Sequence, residues 1–194
     1  LLERGKEFQP GEYPDTEAEA LGEMQSHLPD GKHIGSRTGL YDLHQNHDID
    51  VFVGCGLGGT SLVNANVSLQ AESRVFDDPR WPAELKRDLP TLVEEGYKQA
   101  RMMLKPTPYP DDFPTLPKLE ALKASAKQLD GKIYKTPINV TFQDGVNHVG
   151  VEQKKCNLCG RCCSGCNHGA KNTTLMNYLP DATNHGAEIF TCTS

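Results

Sequence analysis

A glycine-rich loop that directly follows a β-branched run is the feature that most constrains this chain. Residues 48–53 (DIDVFV) alternate as a strand does, and residues 54–59 (GCGLGG) follow without a spacer. The spacing Gly54-x-Gly56-x-x-Gly59 matches a dinucleotide-binding turn, in which glycine lets the backbone approach a pyrophosphate. A strand that leads into such a turn is typical of an α/β fold.

The residues after this loop do not complete the usual dinucleotide-binding unit. Residues 60–66 predict only a short helical run, and no second strand ending in an acidic residue follows. The loop is therefore open to two interpretations, a cofactor-contacting segment or a tight structural turn.

The start of the chain offers the missing strand. Leu1, Leu2 and Glu3 form the apolar-apolar-acid ending of a second Rossmann strand, where a carboxylate accepts hydrogen bonds from a ribose. The fingerprint itself would then lie about 20 residues upstream of Glu3. The alternative is that Glu3 is a solvated charge at a strand end. Because residues 1–3 and 187–191 both resemble parts of strands, we expect the chain to be an internal piece of a longer protein.

Composition excludes some classes of protein. The 194 residues carry 26 acidic and 20 basic side chains, a net charge of −6, which opposes binding to a phosphate backbone. Nucleic acid is therefore not an expected partner. No apolar run has the length of a transmembrane segment.

The elements predicted around the loop are few. Residues 6–48 are polar and rich in proline and glycine, which predicts loops. Apolar spacing predicts helices near residues 91–104 and 119–129, and residues 134–142 predict an edge strand because Pro137 interrupts them. Residues 173–185 predict a helix that Gly186 caps.

Residues 1–5 (LLERG) and 54–66 (GCGLGGTSLVNAN) together resemble the glucose–methanol–choline oxidoreductases, and the cholesterol-oxidase-like branch in particular. Residues 169–173 (GAKNT) and 177–179 (NYL) are similar to the segment with which that family returns to its FAD domain. The resemblance implies an α/β fold, namely a fragment of a discontinuous Rossmann-like FAD-binding domain with part of an inserted α+β substrate domain. The implied segments are 1–75 for FAD binding, 76–150 for the substrate domain, and 151–194 for a cysteine-rich loop and the return.

The resemblance also implies which residues contact the cofactor. Glu3 would bind the adenosine ribose, and the glycine loop would lie against the pyrophosphate and flavin. The stretch 63–67 (VNANV) stands where the family has Val-Asn-Gly-Gly-Met beside the isoalloxazine, so two glycines and the Met are replaced. The implied FAD-binding residues are Glu3, Gly56, Gly58, Gly59, Ser61, Asn64, Ala65 and Asn66.

The activity that the resemblance implies is oxidation of a CH–OH group in an alcohol or sterol-like substrate. The family's catalytic side chains lie near the carboxyl end of the whole enzyme, and no residue here corresponds to them. We therefore expect the 194 residues alone to be inactive. The histidines, among them His44, His47, His148 and His185, are interpreted as loop or surface residues. No motif specifies the electron acceptor.

A dense cysteine cluster is the second distinctive feature. Cys156, Cys159, Cys162 and Cys166 have the spacing of a bacterial ferredoxin run, with Gly160 and Gly165 supplying freedom to turn and basic residues 154, 155 and 161 close by. The spacing predicts an iron–sulfur cluster. The resemblance implies that such a cluster would take electrons from FAD.

Two departures from the ferredoxin pattern leave alternatives open. No proline follows Cys166, and Cys163 adds a fifth sulfur, so a set containing Cys163, a zinc site, or unliganded or disulfide-linked cysteines are the alternatives. The rival function is a ferredoxin-like electron-transfer or zinc-binding module without catalytic activity. Clustered thiols favour a reducing compartment such as the cytoplasm.

Overall fold

A computed structural model describes residues 1–193 and contains a four-stranded sheet near its amino-terminal end. The strand order is β2-β1-β3-β4; β1 and β3 run parallel, and the other two pairs are antiparallel. The strands are β1 (Met24–His27), β2 (His33–Gly35), β3 (Tyr41–His44) and β4 (Val51–Gly54).

The prediction of loops over residues 6–48 is wrong. This range holds helix α1 (Glu17–Gly22), which Thr16 and Glu19 begin with a capping box, and the first three strands. The strands are only three or four residues long and polar on one face, so the alternation of apolar residues that marks a strand is weak. The strand predicted before the glycine loop is confirmed as β4.

The hydrophobic core lies between this sheet, the amino-terminal segment and the residues after the glycine loop. Tyr41 of β3 points into it, as does Leu40 just before the strand. The buried members of the core are Phe8, Tyr13, Leu40, Tyr41, Leu62 and Val63. The glycine loop is thus anchored by Leu62 and Val63, which directly follow it.

The two ends of the described chain pair with one another. Leu2 and Phe190 form a parallel bridge. The amide of Glu3 donates to the carbonyl of Phe190 at 2.9 Å, and the amide of Phe190 donates to the carbonyl of Leu1 at 3.0 Å. The pairing is limited to this one bridge, so the strands expected at residues 1–3 and 187–191 are each reduced to a single bridged residue.

Three further helices carry the remainder. Helix α2 (Ala83–Leu104) confirms the predicted helix and begins eight residues earlier, with Pro90 accommodated inside it. Helix α3 (Pro117–Gln128) matches its prediction. The predicted helix 173–185 is divided into a 3₁₀ turn (Thr174–Met176) and α4 (Tyr178–Asn184), and Gly186 follows with a φ of 88°. Within residues 1–193 no helix combines the length and apolarity that a bilayer crossing demands.

The strand predicted over residues 134–142 is shorter than expected, and it is not an edge strand because backbone segments pair with it on both sides. Only β6 (Pro137–Ile138) is a strand, paired with β5 (Thr107–Pro108). Single bridges then join Ile138 to Val67 and Val140 to Lys171. A last hairpin pairs β7 (Gly145–Val146) with β8 (Glu152–Gln153). The stretch 137–141 therefore connects the exit of the glycine loop to residues 170–172.

Candidate functional site

The glycine loop turns sharply and leaves one side of its backbone open. Gly58 has a φ of 115°, and a Cβ there would lie 2.8 Å from Cδ2 of Leu62, so this position requires glycine for the fold. Gly59 has a φ of 56°, but a Cβ there would meet no atom within 4 Å. The next residues form a single 3₁₀ turn, Gly59–Leu62, as the short helical run predicted. A ligand can therefore approach the backbone at Gly59.

The amides of the loop offer hydrogen-bond donors. The amide of Leu57 donates to the carbonyl of Lys6, and that of Gly59 donates to the carbonyl of Gly56, both at 2.8 Å. The amides of Gly56 and Gly58 donate to no protein acceptor within residues 1–193. The two free N–H groups are separated by the bonded amide of Leu57, so each is a single donor that an anionic oxygen such as that of a pyrophosphate can use.

Glu3 lies beside this loop although fifty residues separate them in sequence. A Cβ on Gly5 would be 2.5 Å from the amide nitrogen of Gly56, so the two backbones touch. The carboxylate of Glu3 accepts a hydrogen bond from the amide of Gly5 at 2.6 Å. The structure therefore brings the predicted ribose-binding residue and the predicted pyrophosphate loop into one site.

Ser61 is held in place by a residue that the sequence analysis did not single out. Thr174 donates from its hydroxyl to the carbonyl of Gly58 at 2.9 Å, and its amide donates to the hydroxyl oxygen of Ser61 at 3.0 Å. Ser61 in turn donates to the carbonyl of Gly58 at 2.6 Å. Thr174 directly follows residues 169–173 (GAKNT), and its place next to this family-like segment could have pointed to a role near the cofactor loop.

The stretch 64–66 continues from the loop with its first two residues exposed. Asn64 accepts a hydrogen bond from the amide of Asn66 through its side-chain oxygen at 3.0 Å. Asn66 is buried and has a φ of 57°, a left-handed conformation that asparagine tolerates better than other non-glycine residues. Asn66, which stands where the resemblance implies a glycine, thus adopts a backbone conformation that glycine also adopts readily.

Lys171 is the most deeply buried cation near these residues, with 2% of its surface exposed. Its Nζ donates to the carbonyls of Leu62 at 3.0 Å, Asn64 at 2.7 Å and Cys162 at 2.9 Å, which accounts for all three protons of an ammonium group. Burial lowers the pKa of Lys171 to about 8, although the nearby cysteine thiolates act in the opposite direction. One buried side chain therefore joins the exit of the glycine loop to the cysteine segment.

The cysteine segment is a series of turns that docks on the amino-terminal segment. Gly160 and Gly165 have φ values of 74° and 110°, which confirms the turning role predicted for them. A Cβ on Gly165 would overlap the ring of Tyr13, and Tyr41 donates from its hydroxyl to the carbonyl of Ser164 at 2.6 Å.

Side chains outside the turns fix this segment further. The side-chain oxygen of Asn167 accepts from the amides of Gly11 and Tyr13 at 3.0 and 2.8 Å. The guanidinium of Arg161 pairs with Asp15. The backbone that carries the cysteines is thus held by groups other than a metal ion.

The sulfurs of Cys156, Cys162 and Cys166 lie near enough to affect the pKa of Cys162, but they are not gathered around one point. Burial raises the pKa of Cys162, and the thiolates of Cys166 and Cys156 raise it further. A hydrogen bond with Asn66 and the charge of Lys171 lower it, but do not outweigh burial. The amide of Leu158 donates to the sulfur of Cys156 at 3.4 Å.

The remaining sulfurs are more open to solvent. Cys159 and Cys163 are exposed, whereas Cys156, Cys162 and Cys166 are half-buried. In the described part of the chain, no three of these sulfurs all lie within 4.8 Å of one another.

The interpretation of His44 as a loop or surface residue is wrong for the loop and holds for the surface, since its side chain is 42% exposed. His44 ends β3, and with His27 of β1 and Asp42 of β3 it forms the one group of three possible metal-ligand atoms found within 4.8 Å of each other among residues 1–193. Asp42 and His44 are two residues apart, a spacing that puts both side chains on one face of a strand. The sequence could not show this, because no strand was predicted over these residues.

Comparisons with known proteins place this geometry in context. The sequence profile of one protein family, described as GMC oxidoreductase, matches residues 26–194. A cholesterol oxidase of Mycobacterium tuberculosis (strain CDC 1551 / Oshkosh) is 27% identical over 210 residues, covering 100% of this chain and 34% of that protein. A cholesterol oxidase of Acinetobacter baumannii is 27% identical over 168 residues, covering 78% of this chain and 29% of that protein. The chain thus spans about a third of the length of the curated relatives it matches.

Proposed function

This chain belongs to the GMC oxidoreductase family, and on that premise we propose that the protein containing it is an FAD-dependent oxidoreductase that oxidises the CH–OH group of an alcohol or sterol. The observation that carries the proposal is that the backbones at Gly5 and Gly56 touch, which puts Glu3 beside the glycine turn. The family resemblance implies this arrangement, with a carboxylate on the ribose and a loop against the pyrophosphate and flavin. The likeness to two cholesterol oxidases favours a bulky hydroxylated substrate over a small one.

The residues present fit an FAD molecule. The amide of Gly58, which is half-buried and has no protein acceptor within residues 1–193, suits a pyrophosphate oxygen, and the open side of Gly59 leaves room for close approach. The exposed Asn64 and Ala65 offer a polar and a small side chain to the flavin ring. Glu3, Gly56, Gly58, Gly59, Ser61, Asn64, Ala65 and Asn66 form the proposed cofactor-binding set.

Each part of this set has a separate task in the proposed enzyme. The flavin, when bound, supplies the acceptor for the hydride that leaves the carbinol carbon. Glu3 holds the adenosine end, and the turn holds the phosphates. Thr174 fixes Ser61, while Lys171 fixes the carbonyl of Asn64, so the backbone facing the ring is set before the cofactor binds. No residue of the described 1–193 is assigned to proton transfer from the alcohol.

We further propose that Cys156, Cys159, Cys162 and Cys166 hold an iron–sulfur cluster that accepts electrons from the flavin. Their spacing favours this, and so does the N–H···S hydrogen bond from Leu158, because such bonds tune cluster potentials. Lys171 joins the carbonyls of Asn64 and Cys162, so a cluster there would neighbour the flavin ring.

Purification of the full-length protein tests this function. We expect a yellow protein with about one FAD per chain, released by acid denaturation, which reduces an artificial electron acceptor when a 3β-hydroxysterol or a long-chain alcohol is added. A control reaction with the corresponding ketone gives no reduction, since it has no carbinol hydrogen to transfer. A colourless or purely brown protein without flavin would instead indicate a zinc-binding or ferredoxin-like module.

A further inference from the structure

One face of the four-stranded sheet carries a row of polar side chains. His27 of β1 and His44 of β3 are register partners on adjacent parallel strands, and Asp42 lies two residues before His44, on the same face. Tyr41 and Met24 lie on the opposite face of the same two strands. Tyr41 belongs to the hydrophobic core, and Met24 packs against it. The row is therefore on the side of the sheet that faces away from the core.

Asp42 is the centre of this row. Only 1% of its surface is exposed, and its Oδ2 accepts a hydrogen bond from the guanidinium of Arg4 at 2.8 Å. Its Oδ1 lies 3.1 Å from Nε2 of His27 and 3.3 Å from Nε2 of His44. Yet neither Oδ1 of Asp42 nor Nε2 of His27, both fully buried, makes an oriented hydrogen bond within residues 1–193. Two buried polar atoms that face each other without such a bond are costly unless a third species satisfies both.

We propose that Nε2 of His27, Nε2 of His44 and Oδ1 of Asp42 bind a divalent transition-metal ion such as Zn²⁺, which links β1 to β3. Zinc bonds of about 2.0–2.2 Å at tetrahedral angles separate neighbouring ligand atoms by about 3.3–3.6 Å. The distance from Oδ1 to Nε2 of His44 lies in that range, the distance to Nε2 of His27 is slightly shorter, and all three atoms lie within 4.8 Å of one another. Two imidazoles and a carboxylate favour zinc, iron, nickel or copper over magnesium or calcium.

The two histidine rings need only a small adjustment to bind one ion. They stack at a centroid distance of 4.3 Å with planes 5° apart, so their nitrogens lie side by side and do not yet converge. Rotation about the Cβ–Cγ bonds brings the nitrogens together. The side chains are 32% and 42% exposed, which leaves room for that rotation.

The surrounding residues hold the carboxylate in the orientation that a metal ligand needs. Arg4 binds Oδ2 of Asp42 and also donates to the side-chain oxygen of Gln25 at 3.1 Å, which fixes the carboxylate plane and leaves Oδ1 for the ion. His33 of β2 lies edge-on to His27 at 4.8 Å, with its Nε2 3.2 Å from the oxygen of Gln25. The charge of Arg4 opposes a dication, so we expect weaker affinity than that of a cysteine-rich site.

Cobalt titration of the full-length protein under anaerobic conditions tests the site, because Co²⁺ on nitrogen and oxygen ligands shows visible d–d bands without thiolate charge-transfer bands. We expect the wild type to bind one equivalent of Co²⁺ that shows d–d bands without thiolate charge-transfer bands. His44→Gln should weaken it by about tenfold or more, whereas Cys162→Ser and the exposed control His47→Gln should leave it unchanged. His44 is partly exposed, so this variant should fold even if Asp42→Asn does not.

Two results would overturn the proposal. One is a wild type that binds no cobalt outside the thiolates, which would leave Asp42 as the centre of an ion-pair network with Arg4 and the histidines. The other is equal binding by His44→Gln and wild type. Thermal unfolding with and without Zn²⁺ gives a second readout: the midpoint should rise in the wild type and in Cys162→Ser, and this rise should be lost in His44→Gln.

Discussion

Lys171 donates a hydrogen bond of 2.7 Å to the backbone carbonyl of Asn64, more than one hundred residues away in sequence. The same buried ammonium group binds the carbonyl of Cys162 at 2.9 Å. The proposed flavin-facing stretch and the proposed cluster loop thus share one cation. Because a buried ammonium cannot leave its acceptors without a large cost, the positions of the two segments are linked.

Lys171→Met should loosen both segments at once. The variant keeps the length of the side chain but leaves three carbonyls without their donor, so the free energy of unfolding should fall by about 3 kcal/mol. Bound FAD and bound iron should fall together. Denaturant unfolding and cofactor content measure this, with the exposed Lys132→Met as the matched control. Full content of both cofactors in Lys171→Met would show that the link has no functional consequence.

Gly59→Ala separates a cofactor-contacting glycine from a purely structural one. A Cβ at Gly59 meets no protein atom, so only the left-handed backbone opposes it, at about 1 kcal/mol. Gly31 also has a positive φ and open space around it, and Gly31→Ala is therefore the matched control. We expect similar losses of stability in both variants, but weaker FAD retention only at Gly59. Equal flavin content would mean that the cofactor does not pass over Gly59.

Glu3→Ala in the full-length protein should weaken FAD binding by about 1.5–3 kcal/mol, the value of a hydrogen bond to a charged group. Glu3→Gln should cost less, since its amide oxygen can still accept from the ribose and from the amide of Gly5. Flavin content after extensive dialysis is the measurement, with the exposed Glu7→Ala as control. Undiminished flavin in both Glu3 variants would identify Glu3 as a solvated strand end.

Cys162→Ser should remove most of the iron, acid-labile sulfide and cluster EPR signal, whereas Cys163→Ser should retain them. Cys162 is half-buried and close to Cys156 and Cys166, while Cys163 is exposed. FAD should stay bound in Cys162→Ser, because serine keeps the backbone carbonyl that Lys171 binds. Substrate should still reduce the flavin, and transfer to an external acceptor should slow. Zinc without iron or sulfide in anaerobically purified wild type would contradict the cluster.

The glycine loop could be predicted because its chemistry is local. The positive φ of Gly58, the short turn after Gly59 and the cap at Gly186 follow from residue type and spacing. Asn66 is an intermediate case: the resemblance implied a glycine at this position, and the structure shows that asparagine adopts a left-handed backbone there. These features depend on a few neighbouring residues only.

Long-range pairings were beyond sequence reasoning. The group of His27, Asp42 and His44 exists only because β1 lies parallel to β3, and these short polar strands carry almost no periodic signal. Lys171 resembles a surface lysine in sequence, and its burial follows from three carbonyls contributed by two distant segments. In both cases tertiary pairing, rather than local preference, determines the environment of the side chain.

Anaerobic mixing of the full-length protein with a 3β-hydroxysterol, followed by absorption in the flavin bands, tests the proposed oxidoreductase activity most directly. Hydride transfer to FAD removes these bands in a single turnover, without any external acceptor, and admitting an acceptor restores them. We predict bleaching with the sterol or with another alcohol, and none with the corresponding ketone. A flavin that no alcohol or sterol can bleach would contradict the assignment of this protein as a CH–OH oxidoreductase.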